Sequence, residues 1–235
     1  MGGWGLLPFA EPARVVERDW RFEPLPDLGD ADSFLPYGQG RSYGDSCINS
    51  HGTQLSTRRL NRFIRFDSER GILRCEAGLT LDEILQVIVP QGWFLPVVPG
   101  TRFVTVGGAI ANDVLGKNHH RAGSFGCHVR SLTLLRSDGS RPACSASENS
   151  TLFEATIGGL GLTGLIVDAE IDLLRISSAE MEVENHVFRD IDEFSALSRE
   201  SGDWDYKVSW VDTCDRKGQA DRGIFSRARH ADNGS

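Results

Sequence analysis

Gly38-Gln39-Gly40-Arg41-Ser42-Tyr43-Gly44-Asp45 packs three glycines into its first seven residues, and the character of the chain just after it decides the fold. Read as Gly40-x-Ser42-x-Gly44, it matches the nucleophile elbow of serine hydrolases, which needs a strand, a sharp turn and then a helix. Read as a dinucleotide fingerprint, it has the spacing G-x-G-x-x-x-G and again needs a helix to come next. The next residues, Asp45 to Gly52, are polar and turn-rich without a helical period, so neither helix is expected. A serine hydrolase using Ser42 stays open as an alternative, as does a plain tight turn. The remaining reading is an anion cradle. Glycines let successive N–H groups turn inward, and Ser42 adds a hydroxyl donor.

Working outward, Arg62–Phe66 and Ile72–Ala77 alternate as strands do, with Asp67–Gly71 as the turn between them. Thr80 and Glu83 form a capping box ahead of Leu81, Ile84, Leu85 and Ile88, which predicts a helix closed by Gly92. Trp93–Val98 then reads as a strand. Val129–Leu135 is expected to be a buried strand that turns at Ser137-Asp138-Gly139 into Arg141–Ser145. A short helix over Ser150–Ala155 and a strand over Leu165–Leu174 come next. Residues 1–35 are mixed, with Pro8, Pro12, Pro24 and Pro26 preventing a long helix. Beyond about residue 175 the chain is more polar, with an amphipathic helix at Asp190–Arg199 and a strand at Lys207–Val211. The stretch from Arg216 to Ser235 is charged, lacks periodicity and is expected to have no closing element. Strands, a helix and more strands, without regular βαβ alternation, predict an α+β fold.

Three more glycine-dense segments stand out. Pro99-Gly100-Thr101 leads into Val104-Thr105-Val106-Gly107-Gly108-Ala109-Ile110-Ala111-Asn112. The glycine pair suits a helix whose free N–H groups face a phosphate, and equally a helix packed tightly on a neighbour. Gly116-Lys117-Asn118-His119-His120 is no Walker loop, since Asn118 stands where Ser or Thr is required. It reads as an exposed basic loop at a cleft edge. Its two adjacent histidines would point apart, so no shared metal is expected. Gly158–Gly164 precedes a buried strand and could line a cofactor or turn a corner. Four such segments without a Rossmann or Walker pattern suggest a large cofactor held mainly by backbone.

Bulk properties narrow the class. The 235 residues are 40% hydrophobic and 25% charged, enough for a folded core. A formal net charge of -8 leaves no basic stripe for nucleic acid. Cys47, Cys75, Cys127, Cys144 and Cys214 are scattered without a Cys-x-x-Cys, which predicts reduced thiols in a cytoplasmic protein. Trp4–Ala10 is too short for a membrane span and is followed by Glu11, so no transmembrane segment is expected.

Taken in order, Gly38–Asp45, Pro99-Gly100-Thr101, Val104–Ala111, Gly116–His120, Gly123-Ser124-Phe125-Gly126 and Gly161-Leu162-Thr163-Gly164 resemble the vanillyl-alcohol-oxidase type of FAD enzyme. The decaprenylphosphoryl-ribose 2′-oxidase group is the nearest in pattern. The resemblance implies a two-subdomain FAD-binding domain over residues 1–175, followed by an incomplete substrate domain over 176–235. It implies that Tyr37, Gly38, Gln39, Gly40, Arg41, Ser42, Tyr43, Gly44, Asp45 and Ser46 wrap the FAD pyrophosphate. Gly100, Thr105, Val106, Gly107, Gly108, Asn112, Asp113 and Ile166 would continue the cofactor contacts, with Tyr43 and Lys117 bordering the substrate. Arg41 stands where many relatives carry the histidine that attaches FAD covalently, so a noncovalent FAD is expected. Leu115 stands where that group tends to have a histidine. The implied reaction is oxidation of a secondary alcohol by hydride transfer, on a small-molecule or lipid-linked sugar such as polyprenylphosphoryl ribose. A partner reductase would complete an epimerisation. The implied location is cytoplasmic, with a peripheral position at the inner membrane open. Full-length relatives are about twice as long, so the catalytic groups are expected in a part with no counterpart here, leaving a truncated, non-catalytic fragment as an alternative.

Overall fold

The computed structural model describes residues 2–7, 11–27, 33–213 and 222–232. Strands β1 (Arg14–Glu17), β2 (Phe34–Tyr37) and β3 (Thr53–Ser56) form a parallel sheet in the order β1-β3-β2. Pro36 is tolerated in β2 because that strand is an edge, where a missing N–H leaves no partner unpaired. β1 has too few residues for a period to show, so its sequence carries no strand signal.

The main core belongs to a five-stranded antiparallel sheet. β4 (Phe63–Asp67) and β5 (Ile72–Glu76) pair across the expected turn. After β5 the chain forms α1 (Leu81–Ile88), the two-residue strand β6 (Trp93–Phe94), α2 (Val106–Ala111) and α3 (His119–Ala122). β7 (Val129–Leu135), β8 (Ala143–Ser145), α4 (Ser150–Thr156) and β9 (Leu165–Asp172) complete the unit, and the sheet order is β4-β5-β9-β7-β8. α1 forms where its capping box predicts. The Thr80 hydroxyl accepts the Glu83 N–H at 3.2 Å, and the Glu83 carboxylate accepts the Thr80 N–H at 2.8 Å. Such a cap contributes about 1 kcal/mol. Leu81, Ile84 and Ile88 are fully buried against the sheet, each worth about 1.5–3 kcal/mol.

Trp93–Val98 is strand only at Trp93–Phe94, which pairs with β10 (Leu174–Arg175). Pro96 has no N–H to continue a ladder, and Leu95 and Val97 instead enter the core. A third sheet is built from β11 (Met181–Phe188), β12 (Tyr206–Val211) and β13 (Gly223–His230) in the order β11-β13-β12, with α5 (Ile191–Glu200) between β11 and β12 in sequence. Phe194 of α5 packs on Phe188 and Phe225 of this sheet. The expectation that Arg216–Ser235 lacks an element is corrected. Gly223–His230 is the central strand, hydrogen-bonded on both sides, and residues 214–221 and 233–235 lie outside the described part. Its charged residues hid the strand, because Arg227 and Arg229 face Glu184 and Glu182 on β11. The architecture is α+β. Cys47, Cys75, Cys127 and Cys144 are free thiols, and Cys214 lies outside the described residues.

Candidate cofactor-binding site

A cavity of about 870 Å³ opens between the end of the parallel sheet and the side of the antiparallel sheet that carries α2. That volume falls within the range of about 300–1,000 Å³ usual for small-molecule and cofactor sites. One wall starts at Tyr37, whose carbonyl accepts the Thr57 N–H at 2.9 Å, and continues through the glycine loop. The facing wall is the 99–105 segment and α2, and the Leu160–Ile166 turn and strand closes the end.

The glycine loop has the backbone geometry that its residue types allow. Gly40 and Gly44 sit at φ 63° and 60°, so the chain alternates hand as it turns. The N–H groups from Gln39 to Cys47 make no hydrogen bond among the described residues. Unpaired N–H groups in succession on a concave wall form a site for an anion. No helix follows Ser42; residues 38–52 are bends and turns, and the Ser42 hydroxyl has no hydrogen-bond partner among the described residues. The strand-turn-helix geometry of a serine nucleophile is therefore absent.

Of the two readings for the second glycine segment, packing describes its N–H groups. The Val106 N–H donates to Leu79 O at 2.9 Å, and the Gly107 N–H to Ala77 O at 2.7 Å. The Gly108 N–H donates to the Thr105 hydroxyl at 3.1 Å. No free donors remain at this helix start for a phosphate. Gly107 rests directly on Ala77, while Gly108 faces the cavity. The segment therefore contributes a flat backbone surface, and the N–H groups without partners among the described residues lie in the first loop.

The cavity brings together Tyr37, Gly38, Gln39, Gly40, Arg41, Ser42, Tyr43, Ser46, Gly100, Thr105, Gly107, Gly108, Asn112 and Ile166. Gly44, Asp45, Val106, Asp113 and Lys117 lie off its lining. Asp45 O closes a turn with the Ile48 N–H, Val106 is fully buried in the core, and the Asp113 carboxylate accepts the Gly126 N–H at 2.8 Å. Lining residues that sequence reasoning missed include Trp4, Cys47, Thr57 and Ala77, whereas Leu160 belongs to the Gly158–Gly164 segment expected to line a cofactor or turn a corner. Trp4 carried a legible signal, a tryptophan between two glycines, but it lies more than thirty residues before the loop it meets.

The Gly116–His120 segment faces the third sheet. Lys117 O accepts the Lys207 N–H at 2.9 Å, and the Arg121 guanidinium reaches Asp205 at 3.3 Å. His119 Nδ1 lies 3.2 Å from Gly116 O, whereas His120 Nε2 lies 3.3 Å from Trp204 O, so the two rings serve different partners. Burial first, then the Lys207 charge, holds the His120 imidazole below its ordinary value of 6.5. The fold thus favours the neutral ring, and its contribution is present above about pH 6.5 and lost as the pH falls through the lowered value. An NMR titration is expected to place the His120 midpoint below 6.5, and Lys207→Gln should move it upward. A midpoint unchanged by that substitution would remove Lys207 as a cause.

Residues 30–145 match the family described as FAD binding domain. The chain is 41% identical over 236 aligned positions to the decaprenylphosphoryl-beta-D-ribose oxidase of Mycolicibacterium smegmatis, covering 96% of this chain and 50% of that protein. It is 37% identical over 154 residues to an uncharacterized protein in the mprA 5′ region of Streptomyces coelicolor, covering 65% of this chain and 41% of that one. To the Delta(24)-sterol reductase of Homo sapiens it is 33% identical over 111 residues, 47% of this chain and 22% of the reductase. The chain thus spans half or less of the length of these relatives.

Proposed function

Because the chain belongs to the FAD-linked oxidoreductases, with a FAD binding domain at residues 30–145, we propose that it holds FAD without a covalent bond and serves the oxidation of a secondary alcohol. FAD is the cofactor. The observation that supports the noncovalent, loop-held reading is the run of N–H groups from Gln39 to Tyr43, unpaired among the described residues, on residues that line the cavity. Donors in that arrangement suit a pyrophosphate. Arg41 lines the same wall, and a guanidinium stays protonated, so it adds charge without offering a nucleophile for attachment. At the other end Leu160, Leu165 and Ile166 give an apolar surface for a planar ring. Residues 1–175 would be the FAD-binding unit with its two subdomains, and 176–235 the start of a substrate domain.

Bound FAD would supply a two-electron hydride acceptor for the carbinol carbon, and a base would have to take the hydroxyl proton for the alcohol to become a ketone. The protein orients and shields. Asn112 and Leu115 line the cavity, and Tyr43 stands at its mouth, 81% exposed. Leu115 cannot hydrogen-bond a sugar hydroxyl. The substrate class that fits the family is a polyprenylphosphoryl ribose oxidised at its 2′-hydroxyl, with a partner reductase completing the epimerisation. Such a substrate would draw the chain from the cytoplasm to the inner-membrane surface; among the described residues no helix is long and apolar enough to cross a membrane.

The purified protein is expected to show flavin absorbance, or to acquire it on incubation with FAD, and to release all of it on denaturation. A protein that stays colourless with excess FAD would sink the reading, and a flavin retained after denaturation would overturn the noncovalent part. The alternative outcome of the test is FAD binding without turnover. Anaerobic mixing with polyprenylphosphoryl ribose separates the two. Bleaching supports oxidation, and a persistent yellow colour supports binding alone.

A further inference from the structure

The glycine loop is crossed by the first few residues of the chain. The Trp4 N–H donates to Ser42 O at 2.8 Å, and the Tyr37 hydroxyl donates to Gly2 O at 3.0 Å. Between these two bonds Gly3 is pressed against the loop. A Cβ there would sit 2.6 Å from Gly44 O and 2.7 Å from Ser42 O. Leu6 N–H then returns to Gly3 O at 3.1 Å, which folds the segment into a turn. The Trp4 indole forms part of the cavity wall while remaining 55% exposed, and the Arg41 guanidinium lies 5.4 Å from its ring centroid.

Each feature alone is ordinary. Together they show a tryptophan fixed from both sides at the edge of a cofactor-sized cavity, by a backbone bond to the loop and by a cation held against its ring. A large aromatic surface left open in this way gains most when a ligand covers it.

We propose that residues 2–6 form a strap that completes the cofactor site, holding the glycine loop in its anion-binding shape and presenting Trp4 as a wall against the bound cofactor. The inference rests on the FAD reading and extends it to residues that the matched FAD binding domain, 30–145, does not include. The strap has two effects. It keeps the loop from relaxing when no cofactor is present, which lowers the ordering cost of binding. Its indole closes part of the exit path, so loss of the ring should act mainly on the release rate.

The test uses the full chain as apoprotein, titrated with FAD by flavin fluorescence, with release followed after addition of excess competitor. Trp4→Ala is expected to raise Kd by about tenfold, chiefly through faster release, with Trp4→Phe recovering part of the loss because it keeps a ring beneath Arg41. Gly3→Val should raise Kd by a similar factor by lifting the strap. The melting temperature of the Trp4→Ala apoprotein should stay within about 2 °C of wild type, since the side chain is exposed. If Gly3→Val itself lowers the apoprotein's melting temperature, Trp4→Ala decides alone. Wild-type protein that binds FAD while Trp4→Ala binds it equally well overturns the strap and leaves the FAD reading standing. Wild-type protein that takes up no FAD overturns both.

Discussion

Gly40→Val is expected to raise the Kd for FAD by about 100-fold or more, about 2.8 kcal/mol at 1.4 kcal/mol per tenfold. Two effects add at this position. Its φ of 63° lies in the left-handed region, which for a β-branched residue costs about 1–3 kcal/mol. A Cβ would also run into the Tyr37 hydroxyl and lie 2.8 Å from Gly2 O, so the loop cannot keep its shape and its bond to the strap at once. Once the loop relaxes, its N–H groups no longer converge. Titration of the apoprotein with FAD checks this. Gly44→Ala serves as a comparison, because its φ of 60° is similar but no atom stands within 4 Å of the added carbon. That variant should lose much less. A Gly40→Val protein with a Kd within about threefold of wild type would remove the loop from the cofactor site.

Glu76→Ala is expected to destabilise the protein by about 3 kcal/mol, a large share of the roughly 5–15 kcal/mol of a typical domain. The Glu76 side chain is fully buried at the end of β5. One of its oxygens accepts the Arg62 N–H at 3.0 Å and the Arg62 guanidinium at 3.2 Å, and the other meets Arg21 at 3.5 Å. Alanine would leave the Arg62 N–H unpaired and both cations without their shared anion. Arg21 and Arg62 also flank the Trp20 ring, so the loss would loosen the segment around Trp20 as well. Urea denaturation measures the effect. Glu76→Gln should recover part of it, because an amide oxygen can still accept the Arg62 N–H. A Glu76→Ala shift below about 0.5 kcal/mol would mean that water replaces the carboxylate without cost.

What could be read from the sequence was local. α1 is written in Thr80, Glu83 and the spacing of its leucines and isoleucines. The β7–β8 hairpin is written in Asp138-Gly139, where the Asp138 carboxylate accepts the Ser140 N–H at 2.9 Å. The Gly38–Ser46 loop was legible because backbone flexibility follows from residue type alone. The features that escaped depend on partners far along the chain. β13 carries arginines that make sense only opposite the glutamates of β11. Whether the N–H groups at the start of α2 are free depends on Leu79 and Ala77, more than twenty-five residues upstream. The Lys117 carbonyl is tied to Lys207, ninety residues away, a link that no local pattern announces. Trp4 meets its loop only through tertiary contact.

Among the described strands of the three larger sheets, β1-β3-β2, β4-β5-β9-β7-β8 and β11-β13-β12, the central strand is the one latest in sequence. The β4–β5 and β7–β8 hairpins can form as they emerge, but none of these sheets can close before its central strand arrives. Its flanking strands must wait, with inward edges unpaired, until the final one emerges. Between the end of β11 and the start of β13 lie about 35 residues, a delay of roughly 2–7 s at ordinary elongation rates of about 5–20 residues/s. Each interval leaves strand edges unpaired, the kind of surface that chaperones shield.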